Sequence, residues 1–447
     1  MDDVLADAPP SAAADAAERH DGAEPPDEPP RLTRSDRRWI LGSAALQVAV
    51  FAPVVFTALF RPTLHPTLWL WHAQRIRETF RTPTEPIQPQ FGWAAISRAV
   101  DGIIPAGDVR VSALITGIAA VALTGGVLFF VLRIRDDGTP LLARPAALAG
   151  ALLIAWLESP AVIQGMEKIA SPDTSFVPLY YGFVPTTVAV TGLNIILVWM
   201  TARLIDGTLA RRAHRWLPVL AVVTAAIKPT LVFPLAIAAV AVAWAHQRRL
   251  RAEGTADGGP LAPVLKLVLL PAIAISFAQH LIITYFVLDR LQGGVVIAPF
   301  EELRALGGFG WQFWLVLLLP LGLLVLVRAP LFEDRAVTLA FLSAALGIGA
   351  AIMFARSGRT PDIGAVGGDV LQLASGGITT AVVFGLRRAC VLWQDGRLRR
   401  SIAAVLVILL LPYAAAGLRL WVCDTGLARC YAPEIAPQWP QKPIEEE

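Results

Sequence analysis

Lys228 stands in the run AAIKPTLVFPLA, inside the otherwise apolar stretch from Leu217 to Ala245. An ammonium at bilayer depth costs roughly 2.5–3.5 kcal/mol on insertion scales, so it requires a partner, a wet cavity or a task. With only 4 Lys against 34 Arg in the chain, composition alone would have placed an arginine here. Pro229 follows directly and, lacking a backbone N–H, breaks a helix at that point. Broken backbone at membrane depth is tolerated only where protein or a water-filled cavity surrounds it. The pair therefore points to a cavity that takes an anion; the plainer alternative is a lysine that snorkels from a short helix to the interface.

Three further stretches carry side chains suited to phosphate and hydroxyl chemistry. Residues 61–110 contain HPTLWLWHAQRIRETF followed by RTPTEPIQPQFGW, which supply His65, His72, Glu78 and Glu85. A neutral imidazole, or a carboxyl raised by burial, can take a proton from a hydroxyl. Residues 158–187 supply Asp173 with Glu158 and Glu167, and the pair Tyr180 and Tyr181. Aromatic pairs near acids suit sugar-like or lipid-phosphate ligands, and one of the two tyrosines also fits an ordinary interfacial belt. Residues 355–370 place Arg356 and Arg359 around a Gly-rich turn. Guanidinium forks and free backbone amides are what phosphate oxygens need; a solvated loop with ordinary glycine turns accounts for the same residues.

The elements that must position these residues are membrane helices. The chain is 55% hydrophobic and 16% charged with a mean hydropathy of +0.58, far from the balance of a soluble domain. Apolar runs near the ~20 residues needed to cross a bilayer recur along almost the whole length. Spans are expected at 39–60, 111–132, 145–157, 186–204, 264–288, 311–327, 336–354, 370–384 and 402–420. The fold class expected is all-α, a polytopic bundle with short or broken helices and a long interfacial first loop. In 217–245, each half is too short to cross alone, so an in-and-back hairpin with Lys228-Pro229-Thr230 at its tip is expected. In the first loop, Leu64, Leu68, Trp69, Trp71, Ile76 and Phe80, with Arg75, Arg77 and Arg81, read as an amphipathic helix lying in the interface.

Residues 1–30 hold nine acids and one Arg with no apolar core, so 1–38 is read as a disordered tail rather than a secretory signal. The membrane domain covers 39–420, and 421–447 forms a C-terminal tail. Arg31, Arg34, Arg37 and Arg38 before the first span place the N-terminus in the cytoplasm. That topology puts 22 of the 38 basic residues inside and 14 outside, with Lys228 and Lys266 within spans. It faces the Lys228 tip and the C-terminal tail outward, where disulfides persist, so Cys423 and Cys430 can pair; two free thiols are the alternative. Cys390 reads as a small buried hydrophobe. Few Lys against many Arg, Ala and Pro is the composition of a bacterial chain encoded by GC-rich DNA, and the localisation expected is the plasma membrane. No nucleotide, zinc or redox motif is present, and no contiguous basic patch points to nucleic acid.

A first span, a long outer loop with an interfacial helix, short or broken spans and a Lys-Pro tip form the framework. Together with HPTLWLW, PIQPQFGW, YYGFVPTT and IKPT, it resembles the GT-C class of integral membrane glycosyltransferases over about residues 39–420. The resemblance implies a polyprenyl-phosphate-linked sugar as donor, a glycan or lipid acceptor, and the bilayer as the third partner. It also implies a base in the first loop and cationic side chains on the donor phosphate. The family's loop acid is commonly the base, but no Asp follows the first span here until Asp101, so His65, His72, Glu78 or Glu85 would serve. Lys228, with Arg356 or Arg359, would hold the phosphate. No cofactor is implied, and a divalent cation is left open. A transporter or flippase for a lipid-linked or anionic substrate also fits a broken helix with a buried cation. Against it, no internal pseudo-symmetry is apparent and the polar residues crowd one side of the membrane.

Reporter enzymes fused after residues 38 and 425 check the topology. The first should be active only in the cytoplasm and the second only outside it.

Overall fold

The computed structural model describes residues 33–61, 91–104, 108–135, 138–157, 185–254, 259–281, 295–297, 299–300, 311–327, 334–356 and 368–428. Within these the chain is an all-α polytopic membrane protein. Its helices are α1 Arg34–Phe60, α2 Phe91–Ile103, α3 Val109–Arg133, α4 Arg144–Trp156, α5 Pro185–Ile205, α6 Trp216–Ile227 and α7 Pro229–Ala252. Next comes α8, built from Leu261–Val264, a π-helical segment Leu265–Leu269 and Leu270–Leu281. The other long helices are α9 Trp311–Val327, α10 Arg335–Met353, α11 Gly368–Gln394 and α12 Arg400–Asp424, and a single helical turn, Arg211–His214, precedes α6. Seven of the described helices are long and apolar enough to cross a membrane. Two three-residue strands, β1 Val295–Ile297 and β2 Phe354–Arg356, pair antiparallel at the end of α10, with Val295 opposite Arg356.

Helices α3, α5, α7, α10 and α11 form the middle of the bundle, with α1, α4 and α12 on one flank and α2, α6 and α8 on another. Without a hydrophobic force between helices in lipid, close backbone approach must come from small residues. Gly125 and Gly126 on α3 lie against the Ser43–Gln47 and Ile40 turns of α1, and Gly192 on α5 lies 3.0 Å from the Thr124 Cα, measured from where its Cβ would stand. Gly347 and Gly377 bring α10 and α11 into backbone contact. On the flank, Trp421 donates to Val50 O (2.8 Å) and stacks obliquely on Trp156, which meets Phe51 in turn, clasping α12 to α1 and α4.

One face of the bundle is tied by ion pairs. Asp36, near the start of α1, accepts from Arg133 Nε at the end of α3 (3.2 Å) and from Arg144 Nε at the start of α4 (3.0 Å). Arg335, at the start of α10, pairs with Asp206 just beyond α5 (3.1 Å) and lies 3.0 Å from His246 Nδ1 near the end of α7. Arg135 reaches Asp395 after α11 (2.7 Å). These contacts bring the ends of α3, α5, α7 and α11 and the starts of α1, α4 and α10 to a single arginine-rich face. The α6–α7 junction, the end of α1, the start of α3 and the β pair lie at the opposite one.

Two helices run further than their hydropathy indicates. Helix α7 continues from the expected Ala245 to Ala252, long enough to cross by itself. Helix α11 continues ten residues past Phe384, carrying Arg387 with only 1% exposure. The guanidinium is accommodated because it donates to the carbonyls of Val131 (3.1 Å) and Ile134 (3.2 Å), which the end of α3 leaves open. Replacing Arg387 with Met should therefore lower stability by about 1–3 kcal/mol, the cost of stranding buried acceptors. Replacing the exposed Arg397 with Gln should change it little, and thermal unfolding in detergent measures both.

Candidate functional site

Helix α6 ends at Ile227, Lys228 is extended (φ −153°, ψ 89°), and Pro229 opens α7. Proline costs little at the first helical position, where its missing N–H has no intrahelical partner to lose. Lys228 N–H closes α6 on Thr224 O (3.0 Å), and Leu231 N–H turns back to Lys228 O (3.2 Å). Across such a break the carbonyls of the last α6 turn lose the N–H groups that a continuous helix would offer them. Gln279 of α8 supplies one replacement, its Nε2 donating to Ala226 O at 2.8 Å.

The break is enclosed. Lys228 is 2% exposed, which excludes a side chain lying along lipid. Helix α2 covers the junction: a Cβ at Gly92 would stand 2.6 Å from the Ala226 carbonyl carbon, so only glycine permits this approach. On the far side Gly376 of α11 sits against Leu231, with a Cβ there 3.0 Å from the Leu231 Cβ and 3.3 Å from Asn194 Nδ2 of α5. Asn194 donates to Gly376 O across a long 3.4 Å. Between Lys228 and His246, α7 covers about 27 Å at 1.5 Å per residue. The junction thus stands well away from the arginine-rich face, where His246 meets Arg335.

Polar side chains gather here in an otherwise apolar bundle. Asn194, Lys228 and Gln279 are buried, as are Thr191, Ser375, Thr379 and Thr380. Asn194 Oδ1, Thr230 Oγ1, Ser276 Oγ and Gln279 Oε1 are buried atoms without a hydrogen-bond partner among the described residues. Asp101, near the end of α2, is also buried; it accepts from Ser112 Oγ of α3 (3.1 Å) and pairs with Arg98. Among the described residues, no group of three or more His, Cys, Asp and Glu is placed to hold a metal ion.

Of the residues singled out from sequence, Lys228 is in this site. Arg356 has its backbone in β2, paired with Val295, rather than in a free Gly-rich turn. His65, His72, Glu78, Glu85, Asp173, Tyr180, Tyr181 and Arg359 lie outside the described residues. Cys423 is disulfide-bonded and Cys390 carries a free thiol, while Cys430 also lies outside the described residues. Sequence reasoning passed over Gln279, Asn194 and helix α2. A lone amide in an apolar run is the signal that could have marked the first two, because such a group must find a partner in lipid. No family model, curated protein or solved structure matches the chain.

A Leu at Gly92 should push α2 off the junction and cost about 1–3 kcal/mol, as overpacking does. Alanine at Gly102, which opens on empty space on the same helix, should be tolerated. Unfolding midpoints of the two variants test this.

Proposed function

We propose that the protein is an integral membrane glycosyltransferase that takes a sugar from a polyprenyl-phosphate donor and passes it to an extracytoplasmic acceptor. The observation that carries the reading is the enclosed Lys228 ammonium at a helix break, remote from the arginine-rich face. By the positive-inside rule the side opposite the arginine-rich face is the outer one. A lipid-linked donor can reach such a point with its chain in the bilayer and its phosphate against the cation.

In the reaction the acceptor hydroxyl oxygen attacks the anomeric carbon and a new C–O bond forms with inversion. The bond from that carbon to the phosphate oxygen breaks, and its electron pair leaves with polyprenyl phosphate. The hydroxyl proton passes to a base, for which His65, His72, Glu78 and Glu85 in the first loop are the candidates. Lys228 stabilises the charge that builds on the leaving phosphate, and Arg356 or Arg359 assists as a planar fork. Asp101 is engaged by Arg98 and Ser112 and serves to fasten α2 to α3.

A transporter, whose broken helices hold substrate within the bilayer, is the second reading. Purified protein in nanodiscs, given polyprenyl-phosphate-linked sugars and candidate acceptors, should release polyprenyl phosphate. Lys228→Met should reduce that turnover by about 10²–10³, the weight of one oxyanion-stabilising donor, while leaving the unfolding midpoint near that of the wild type. Movement of the lipid-linked sugar between leaflets with no bond broken would replace the enzyme with a flippase.

A further inference from the structure

The two amides beside the hairpin junction have their orientation dictated by their partners. Gln279 faces the carbonyl of Ala226 and Asn194 faces the carbonyl of Gly376. A carbonyl only accepts, so each side chain must turn its NH2 toward the backbone and its oxygen away. Both oxygens are buried and have no hydrogen-bond partner among the described residues, on residues that are 5% and 3% exposed. An unmet acceptor in a protein interior costs about 1–3 kcal/mol. Here two occur on helices that approach the same junction from different sides, α8 through Ala226 and α5 through Gly376 and Leu231. The Thr230 and Ser276 hydroxyls, also buried and without a hydrogen-bond partner, lie on the first turn of α7 and one turn before Gln279 on α8.

We infer that Asn194 Oδ1 and Gln279 Oε1 are acceptors for ligand hydroxyls, so that the Lys228 junction recognises a polyhydroxylated group attached to an anion: the sugar of a sugar phosphate. The inference rests on the glycosyltransferase reading and extends it from the phosphate to the sugar. A cation alone would select any phosphate. Acceptors that lack donors add selection for hydroxyl groups, since a site built around hydrogen bonds to a hydroxyl rejects the analogue that lacks it. In this arrangement Asn194 and Gln279 are specificity-determining residues. The backbone bonds made by their NH2 groups hold the two oxygens in place before the ligand arrives.

The experiment measures binding of two kinds of lipid to the full chain in nanodiscs: decaprenyl phosphate, and its mannosyl, glucosyl and arabinosyl phosphodiesters. Wild-type protein should bind both kinds, and Lys228→Met should weaken both. Asn194→Leu and Gln279→Met should each weaken binding of the preferred glycosyl phosphodiester by roughly three- to tenfold more than binding of decaprenyl phosphate, the weight of one neutral hydrogen bond. The ratio of the two dissociation constants is the readout, because a misfolded fraction does not alter it. If the apolar variants do not accumulate, Asn194→Ser and Gln279→Asn shorten the reach while keeping polarity, and should shift the ratio in the same direction. A ratio equal to wild type in folded variants overturns the inference and assigns the two oxygens to ordered water. Failure of the wild type to bind either lipid overturns the glycosyltransferase reading itself, and the inference with it.

Discussion

Hydrocarbon offers nothing to a backbone N–H or C=O, and the rest of this structure depends on how that constraint is met at one interrupted helix. Between Ile227 and Pro229 the chain reverses, and the carbonyls of the last α6 turn lose their intrahelical donors. The bundle answers with side chains from outside the hairpin: Gln279 reaches Ala226 O, and Gly92 lets α2 lie directly on the same turn. A break so supported can carry an ammonium, because the surfaces that satisfy the backbone also keep lipid away from Lys228. The same solution appears at the other face, where the buried Arg387 closes the carbonyl end of α3.

The two faces divide the work. Around the arginine-rich face, Asp36, Asp206 and Asp395 are shared among the ends of helices distant in sequence, so that α1, α3, α4, α5, α10 and α11 are joined where they emerge. Partly exposed ion pairs such as Arg135–Asp395 contribute modestly one by one, but the buried Asp36 with two arginines and Thr33 forms a network. Close glycine seams between α1, α3 and α5 and between α10 and α11 continue the joining through the middle. Order held at that face and in the centre leaves the opposite face able to carry polar, interrupted structure around Lys228.

Much of this was readable along the chain. Every described helix from α3 onward that hydropathy indicated is present, α7 and α11 running well past their expected ends, and the Lys-Pro break falls where the chemistry of proline puts it. The errors have specific causes. Helix α11 was cut short at Phe384 because Arg387 and Arg388 look like a loop, whereas Arg387 is paid for by carbonyls of α3, some 250 positions earlier in the chain. Helix α7 was ended at Ala245 because His246, Arg248 and Arg249 follow, yet Arg335 lies against His246 and Arg248 lies over the Trp244 ring at 4.5 Å. Helix α2 was read as loop because its alternation of Trp93, Ile96, Ser97 and Asp101 sits in a long polar segment with no cap to mark it.

What the sequence determined by itself was therefore whatever depends on local composition: which segments are apolar enough to enter a bilayer, where proline interrupts them, and that a lysine there must be enclosed or mark a task. Only the tertiary structure decided how that lysine is enclosed, that its junction stands away from the arginine-rich face, and that Asn194 and Gln279 turn their oxygens away from the carbonyls they serve. Hydropathy and helix breaking are set by neighbours a few residues apart. The satisfaction of a buried polar group is set by whichever helix packs beside it, and that partner is chosen by the fold.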